Sequence, residues 1–204
     1  MRDDKEGFSS GDNSPLEWHN KEAAAYVQTL IAKFGMPSSV DPTPGGIVVW
    51  KKDRLATNSC IDRIEVRDEA IPDVTPEPHN DFVYLFVTYD VAPSKFLEVT
   101  SVSGTVSYDP LKKQLRVRCG SYETCTATLA LCVQVGEGHL SLNYVQSNDL
   151  YNQYYAAAHD PEQFARLRDL LCYNLKHQQG TTQLDGYWPL AVQANLPLPA
   201  NIYP

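Results

Sequence analysis

Hydrophobic residues change period along the chain, and the changes divide it into elements. Ala23, Val27, Leu30, Ile31 and Phe34 recur every three or four residues, which sets them on one side of an α-helix. Ser14-Pro15-Leu16-Glu17 predicts its start, with Ser14 as cap, Pro15 at the first helical position and Glu17 reaching back to the cap amide. Gly35 and Pro37 predict its end. Residues 37–46, with three prolines and two glycines, read as a loop. Ile47-Val48-Val49-Trp50 reads as a short apolar strand, and Cys60 to Arg67 as a half-buried one. Residues 68–80 are acidic and proline-rich and predict no regular element.

Phe82 to Val91 is β-branched and aromatic, the composition of a buried strand. Pro93 to Val99 predicts a short helix. Gly104–Tyr108 and Leu115–Cys119 flank Asp109–Gln114 as a hairpin with a longer loop. Alternation along its second strand puts Arg116 and Arg118 on one solvent-facing side. Ser121 predicts the cap of a helix running to Gly136, with Cys125, Leu129 and Cys132 on one stripe. Ser141 opens a further helical stretch through Leu142, Val145, Leu150, Tyr151 and Tyr154. Asp160-Pro161-Glu162-Gln163 opens a last helix, with Phe164, Leu167, Leu171 and Leu175 on one side and Gly180 at its end.

Strands are followed by helices without strict alternation. The expected class is therefore α+β, a mainly antiparallel sheet with helices packed on one face. Three regions follow: a flexible arm over 1–13, a single domain over 14–180, and an extended proline-rich tail over 181–204. The tail carries Tyr187, Trp188, Leu190, Leu196, Leu198, Ile202 and Tyr203 among four prolines. Proline bars helix and sheet centre, yet the segment is too apolar for a solvated tail. These seven side chains are the expected interface, docking in cis or on a neighbouring subunit.

Charge narrows the partners. The formal net charge is −8, which repels phosphate backbones and disfavours nucleic acid. The charged start Met1–Glu6 carries no apolar secretory core, and no run is long enough to span a bilayer; synthesis in the cytosol is expected. The five cysteines, Cys60, Cys119, Cys125, Cys132 and Cys172, form no Cys-x-x-Cys pair. They read as reduced, small core residues.

The chemical candidate is Pro76-Glu77-Pro78-His79-Asn80-Asp81, where an imidazole lies between two carboxylates in a loop ahead of a strand. His79, Asp81 and Glu77 could serve a general base or supply two metal ligands, but the sequence places no third ligand. The alternative is a structural His79 bonded to Asp81 or to backbone. No cofactor and no metal are expected. Cys119, at a strand end before a helix start, occupies a position where a thiolate is stabilised. Tyr151, Tyr154 and Tyr155 could form an aromatic helix face. No phosphate-binding loop, dinucleotide fingerprint or nucleophile elbow is present.

Three groups of residues carry a likeness to a known set of proteins. Trp50 is followed by Asp68-Glu69-Ala70-Ile71-Pro72. Pro76–Phe82 leads to Tyr89-Asp90-Val91. Gly104-Thr105-Val106 is joined by Arg118-Cys119 and the leucine-rich Leu129–Leu131. Over residues 24–135 this pattern resembles a family of small uncharacterised proteins of algal and marine-microbe viruses. The resemblance implies a viral source and no particular activity. The expected function is a non-enzymatic structural or assembly component of a larger complex, a virion-associated or minor capsid protein that contacts other subunits. The alternatives are a hydrolase or metal-dependent enzyme using the His79/Asp81 loop, and a cytosolic regulatory binding domain.

Overall fold

A computed structural model describes residues 16–55 and 59–176. Six strands form one antiparallel sheet in the order β1-β2-β3-β4-β6-β5, with β1 Ser39–Val40, β2 Ile47–Lys51, β3 Arg63–Asp73, β4 His79–Thr88, β5 Val106–Asp109 and β6 Gln114–Cys119. The helices are α1 Lys21–Phe34, α2 Phe96–Thr100, α3 Tyr122–Gly136, α4 Leu142–Ser147, α5 Leu150–Ala158 and α6 Pro161–Lys176. The protein is α+β, with its helices on one face of the sheet.

Alternation assigns the two faces. Cross-strand neighbours Trp50, Ile64, Leu85 and Val117 form one row, and Val66, Val83 and Cys119 another. These residues are buried, those of β4 and β6 beneath α3, whose Cys125 thiol donates to the Val83 carbonyl at 3.4 Å, and Trp50 beside the end of α1, where its Nε1 donates to Gly35 O at 2.9 Å. Almost every side chain of α3 is buried, not only the expected Cys125–Leu129–Cys132 stripe. The cause is that α3 lies between two layers, with the sheet on one side and α5 and α6 on the other. Leu129, Leu131, Tyr154, Leu167 and Leu171 fill the space between helices.

Several boundaries differ from expectation. The first helix starts at Lys21, not at Ser14, because Asn20 is the cap and its Oδ1 accepts from the amides of Glu22 and Ala23. Before it the chain is extended: Glu17 donates to the Pro42 carbonyl at 2.9 Å, and the buried Trp18 donates its Nε1 to Asp41 O at 3.0 Å. Residues 68–80 are not irregular. Most of them continue β3 to Asp73 and open β4 at His79, with a bulge between Val66 and Ile71 that breaks the alternation. The single stretch expected after Ser141 is two helices, divided at Asp149, whose φ is 54°. Ser121, Ser141 and Asp160 do cap helices: each side chain accepts an amide in the first turn.

Cys60 and Cys172 form a disulfide across a sequence separation of 112, with Cα atoms 5.1 Å apart. This corrects the expectation of five free thiols. The two residues meet only because α6 returns to the segment that leads into β3, which no local spacing reveals. Cys119, Cys125 and Cys132 are free and buried. Among the described residues no helix is long and apolar enough to cross a membrane. The arm over 1–13 and the tail over 181–204, including Tyr187, Trp188, Leu190, Leu196, Leu198, Ile202 and Tyr203, lie outside the described residues.

Candidate functional site

The face of the sheet turned away from the helices is built from charge and aromatic rings. One row runs Lys51, Arg63, Phe86, Arg116, Ser107 across β2, β3, β4, β6 and β5; the next runs Val49, Glu65, Tyr84, Arg118. Arg67, opposite Ile47, adds a further cation. The Arg63 guanidinium carbon lies 3.8 Å from the Phe86 ring centroid, and that of Arg67 4.0 Å from the Tyr84 centroid. Both rings are only 4% exposed, so their outer faces serve as seats for arginine. Such stacking holds a flexible cation in place and contributes about 0.5–1 kcal/mol at a partly exposed site.

Glu65 sits in the middle of this lattice, buried. Its Oε2 accepts from Arg67 Nη2 at 2.6 Å, and its Oε1 lies 3.0 Å from Arg63 Nε. Arg116 donates its Nε to the neutral Ser107 hydroxyl at 2.9 Å. A shallow depression lies here, lined in part by Arg63, Arg67, Phe86, Lys112, Gln114 and Arg116. The expected shared side of Arg116 and Arg118 is thus part of a wider basic face. Arg63, Arg67 and Lys51 were not assigned to it from sequence, although strand alternation of Arg63, Glu65 and Arg67 carries the signal.

The predicted chemical residues lie at the end of the β3–β4 hairpin, past the point where β6 stops pairing. Asp73 and His79 are a directly opposed pair, and Ile71 opposes Asp81. By strand alternation Asp73, His79 and Asp81 share one side of the hairpin. His79 Nε2 lies 3.2 Å from Asp81 Oδ1, and Arg118 donates its Nε to Asp81 Oδ2 at 3.1 Å. Burial raises the pKa of Asp81, against the lowering effect of Arg118 and His79. Glu77 takes part through its backbone: its carbonyl lies 2.7 Å from His79 Nδ1, and its side chain is exposed. The second acid at the cluster is Asp73, hidden in the sequence because the proline-rich stretch around it shows no strand pattern.

Gly120 packs closely against the cluster. A Cβ at this position would stand 3.1 Å from the Asn80 carbonyl and 3.2 Å from His79 Cδ2. The ring of Tyr155 lies on another side of His79, 6.0 Å between centroids. The tyrosines do not form one face. Tyr151 and Tyr155 border this region, whereas Tyr154 is buried and its hydroxyl accepts from Gln134 Nε2 at 2.7 Å. Cys119 is 2% exposed, under α3 and 3.8 Å from the Thr128 hydroxyl, so the position expected for a thiolate is closed to substrate.

No family model, no curated protein and no solved structure matches the chain.

Proposed function

We propose that the protein is a non-enzymatic assembly component that contacts the acidic surface of a neighbouring protein subunit through the arginine face of its sheet. The observation behind this is charge segregation. On a chain of net charge −8, this face, which no described helix covers, gathers five basic side chains (Lys51, Arg63, Arg67, Arg116 and Arg118) around Glu65, Glu69 and Asp109, with Arg118 also paired to Asp81. Guanidinium groups seated on rings lose little freedom on pairing, and they suit bidentate contact with carboxylates. Because arginine already covers Tyr84 and Phe86, the rings are not free platforms for nucleobases, which favours a protein partner over single-stranded nucleic acid.

The resemblance to small proteins of algal and marine-microbe viruses supports a virus particle as the assembly. The Cys60–Cys172 disulfide supports the same reading over a cytosolic regulatory domain, because such bonds persist on virion surfaces and are rare in a reducing cytosol. For a thiol-based enzyme the free cysteines are unfavourable: burial pushes the Cys125 and Cys132 thiols up.

The test is fluorescence anisotropy with two labelled probes of matched charge, an oligoglutamate peptide and a thymidine oligonucleotide. The wild-type chain should bind the peptide in a salt-sensitive way, and Arg63→Glu/Arg116→Glu should weaken binding at least about tenfold. Preference for the oligonucleotide, or equal binding by wild type and variant, would overturn the proposal.

A further inference from the structure

A second site, joined to the arginine face through Arg118, lies where the β3–β4 hairpin ends. Asp73, His79 and Asp81 each offer one ligand atom, and the three atoms lie within 4.8 Å of one another. Ligands bonded to one ion at about 2.0–2.2 Å stand up to about 4.4 Å apart, so small side-chain rotations bring all three to a common centre. Nothing larger than a rotation is needed, because the antiparallel register already opposes Asp73 to His79 and sets Asp81 two residues on.

One hydrogen bond of the imidazole orients the ring. Nδ1 lies 2.7 Å from the Glu77 carbonyl oxygen. A carbonyl only accepts, so Nδ1 carries the proton. That leaves Nε2 facing Asp81 Oδ1 at 3.2 Å. The contact is close but not aligned as a hydrogen bond, and Oδ1, though wholly buried, has no hydrogen-bond partner. A buried carboxylate oxygen without a donor is costly, and a cation held between it and Nε2 removes that cost. Histidine bound through Nε2, with Nδ1–H held by a backbone carbonyl, is the usual outer-shell arrangement of a metal ligand.

We infer that Asp73, His79 and Asp81 bind one divalent transition-metal ion of the zinc or manganese type. Two carboxylates and one imidazole suit a borderline cation and not calcium or magnesium, which take oxygen ligands. Three protein ligands leave at least one coordination position open. Asp73 also lines a cleft of about 460 Å³ with Val102, Ser103, Val145, Gln146 and Tyr151, so one of the three ligands borders open space. The ion ties the two strands of the hairpin together at their free end, and its +2 charge compensates Asp73 and Asp81 where Arg118 alone reaches only Oδ2.

The experiment uses the full chain, purified without a metal-affinity tag and stripped with a chelator. Titration calorimetry with zinc and with manganese chloride should show about one ion per chain, with magnesium and calcium binding at least about tenfold more weakly. Asp73→Asn and His79→Gln lie at partly exposed positions and should keep the wild-type circular dichroism while losing about 10–100-fold in affinity. Electron paramagnetic resonance of the manganese-loaded wild type should show coupling to one imidazole nitrogen, absent in His79→Gln. Wild-type protein that takes up neither ion, a loaded site without nitrogen coupling, or unchanged affinity in both variants would overturn the inference. Because the nitrogen coupling is read on the wild-type chain, the test holds even if a variant fails to fold.

Discussion

Asp68 shows what a single carboxylate does at the start of a helix. Its oxygens accept the amides of Asn20 at 2.7 Å, Gly45 at 2.7 Å and His19 at 3.0 Å, and the His19 ring lies 3.2 Å away. These amides hold His19 and Asn20 extended, so the helix begins at Lys21 and not earlier. Burial opposes ionisation of Asp68, but the three amides and His19 outweigh it and hold its pKa at about 2, below the ordinary 3.8. The folded value is depressed, so the stabilisation is complete above about pH 4 and is lost as pH falls through about 2. Asp68→Ala should cost about 1–3 kcal/mol at neutral pH, the price of orphaned donors. Thermal unfolding followed against pH should show the gap between wild type and variant closing below pH 4; a gap constant to pH 2 would contradict this account. In the sequence Asp68 is one acid in a stretch without periodicity, since its partners lie 23 and more residues away.

At the scale of elements, periodicity and capping were legible and long-range pairing was not. The strands Ile47–Trp50, Phe82 onward and 115–119, and the caps Ser121, Ser141 and Asp160, follow from local chemistry that side chains impose on their own neighbours. The β3–β4 hairpin end did not show itself. Pro72, Pro76 and Pro78 mask it, and the bulge between Val66 and Ile71 breaks the alternation that marks a strand. With the hairpin hidden, His79 and Asp81 stand out by their closeness in sequence, whereas Asp73 joins them only through strand pairing. The disulfide was equally invisible, since Cys60 and Cys172 are brought together by the return of α6 and not by spacing. Closing so long a loop should stabilise the fold by about 2–5 kcal/mol. Denaturant unfolding with and without reductant should show a loss of that size, and intact mass under non-reducing conditions should correspond to one disulfide and three thiols. Five free thiols in the folded, unreduced protein would exclude the bond.

At the scale of the molecule, the sheet divides two surfaces of opposite character. Its covered side is a continuous apolar core through α3. Its open side carries arginines on Tyr84 and Phe86, whereas the helical layer is of mixed charge, exposing Asp149 and Asp160 beside Arg168 and Lys176, and the hairpin turn exposes Glu77. A basic face on one copy and acidic groups elsewhere on the next make a head-to-tail contact possible, the kind that closes rings or extends arrays. Salt weakens such contacts because the charges lie at the surface, where the screening length is about 10 Å at 0.1 M. Sedimentation velocity of the full chain over a range of concentrations, at low and at high salt, tests this most directly. Association should grow with concentration at low salt, fall at high salt, and disappear in Arg63→Glu/Arg116→Glu. A wild-type chain that stays monomeric throughout, or a variant that associates as the wild type does, would contradict it.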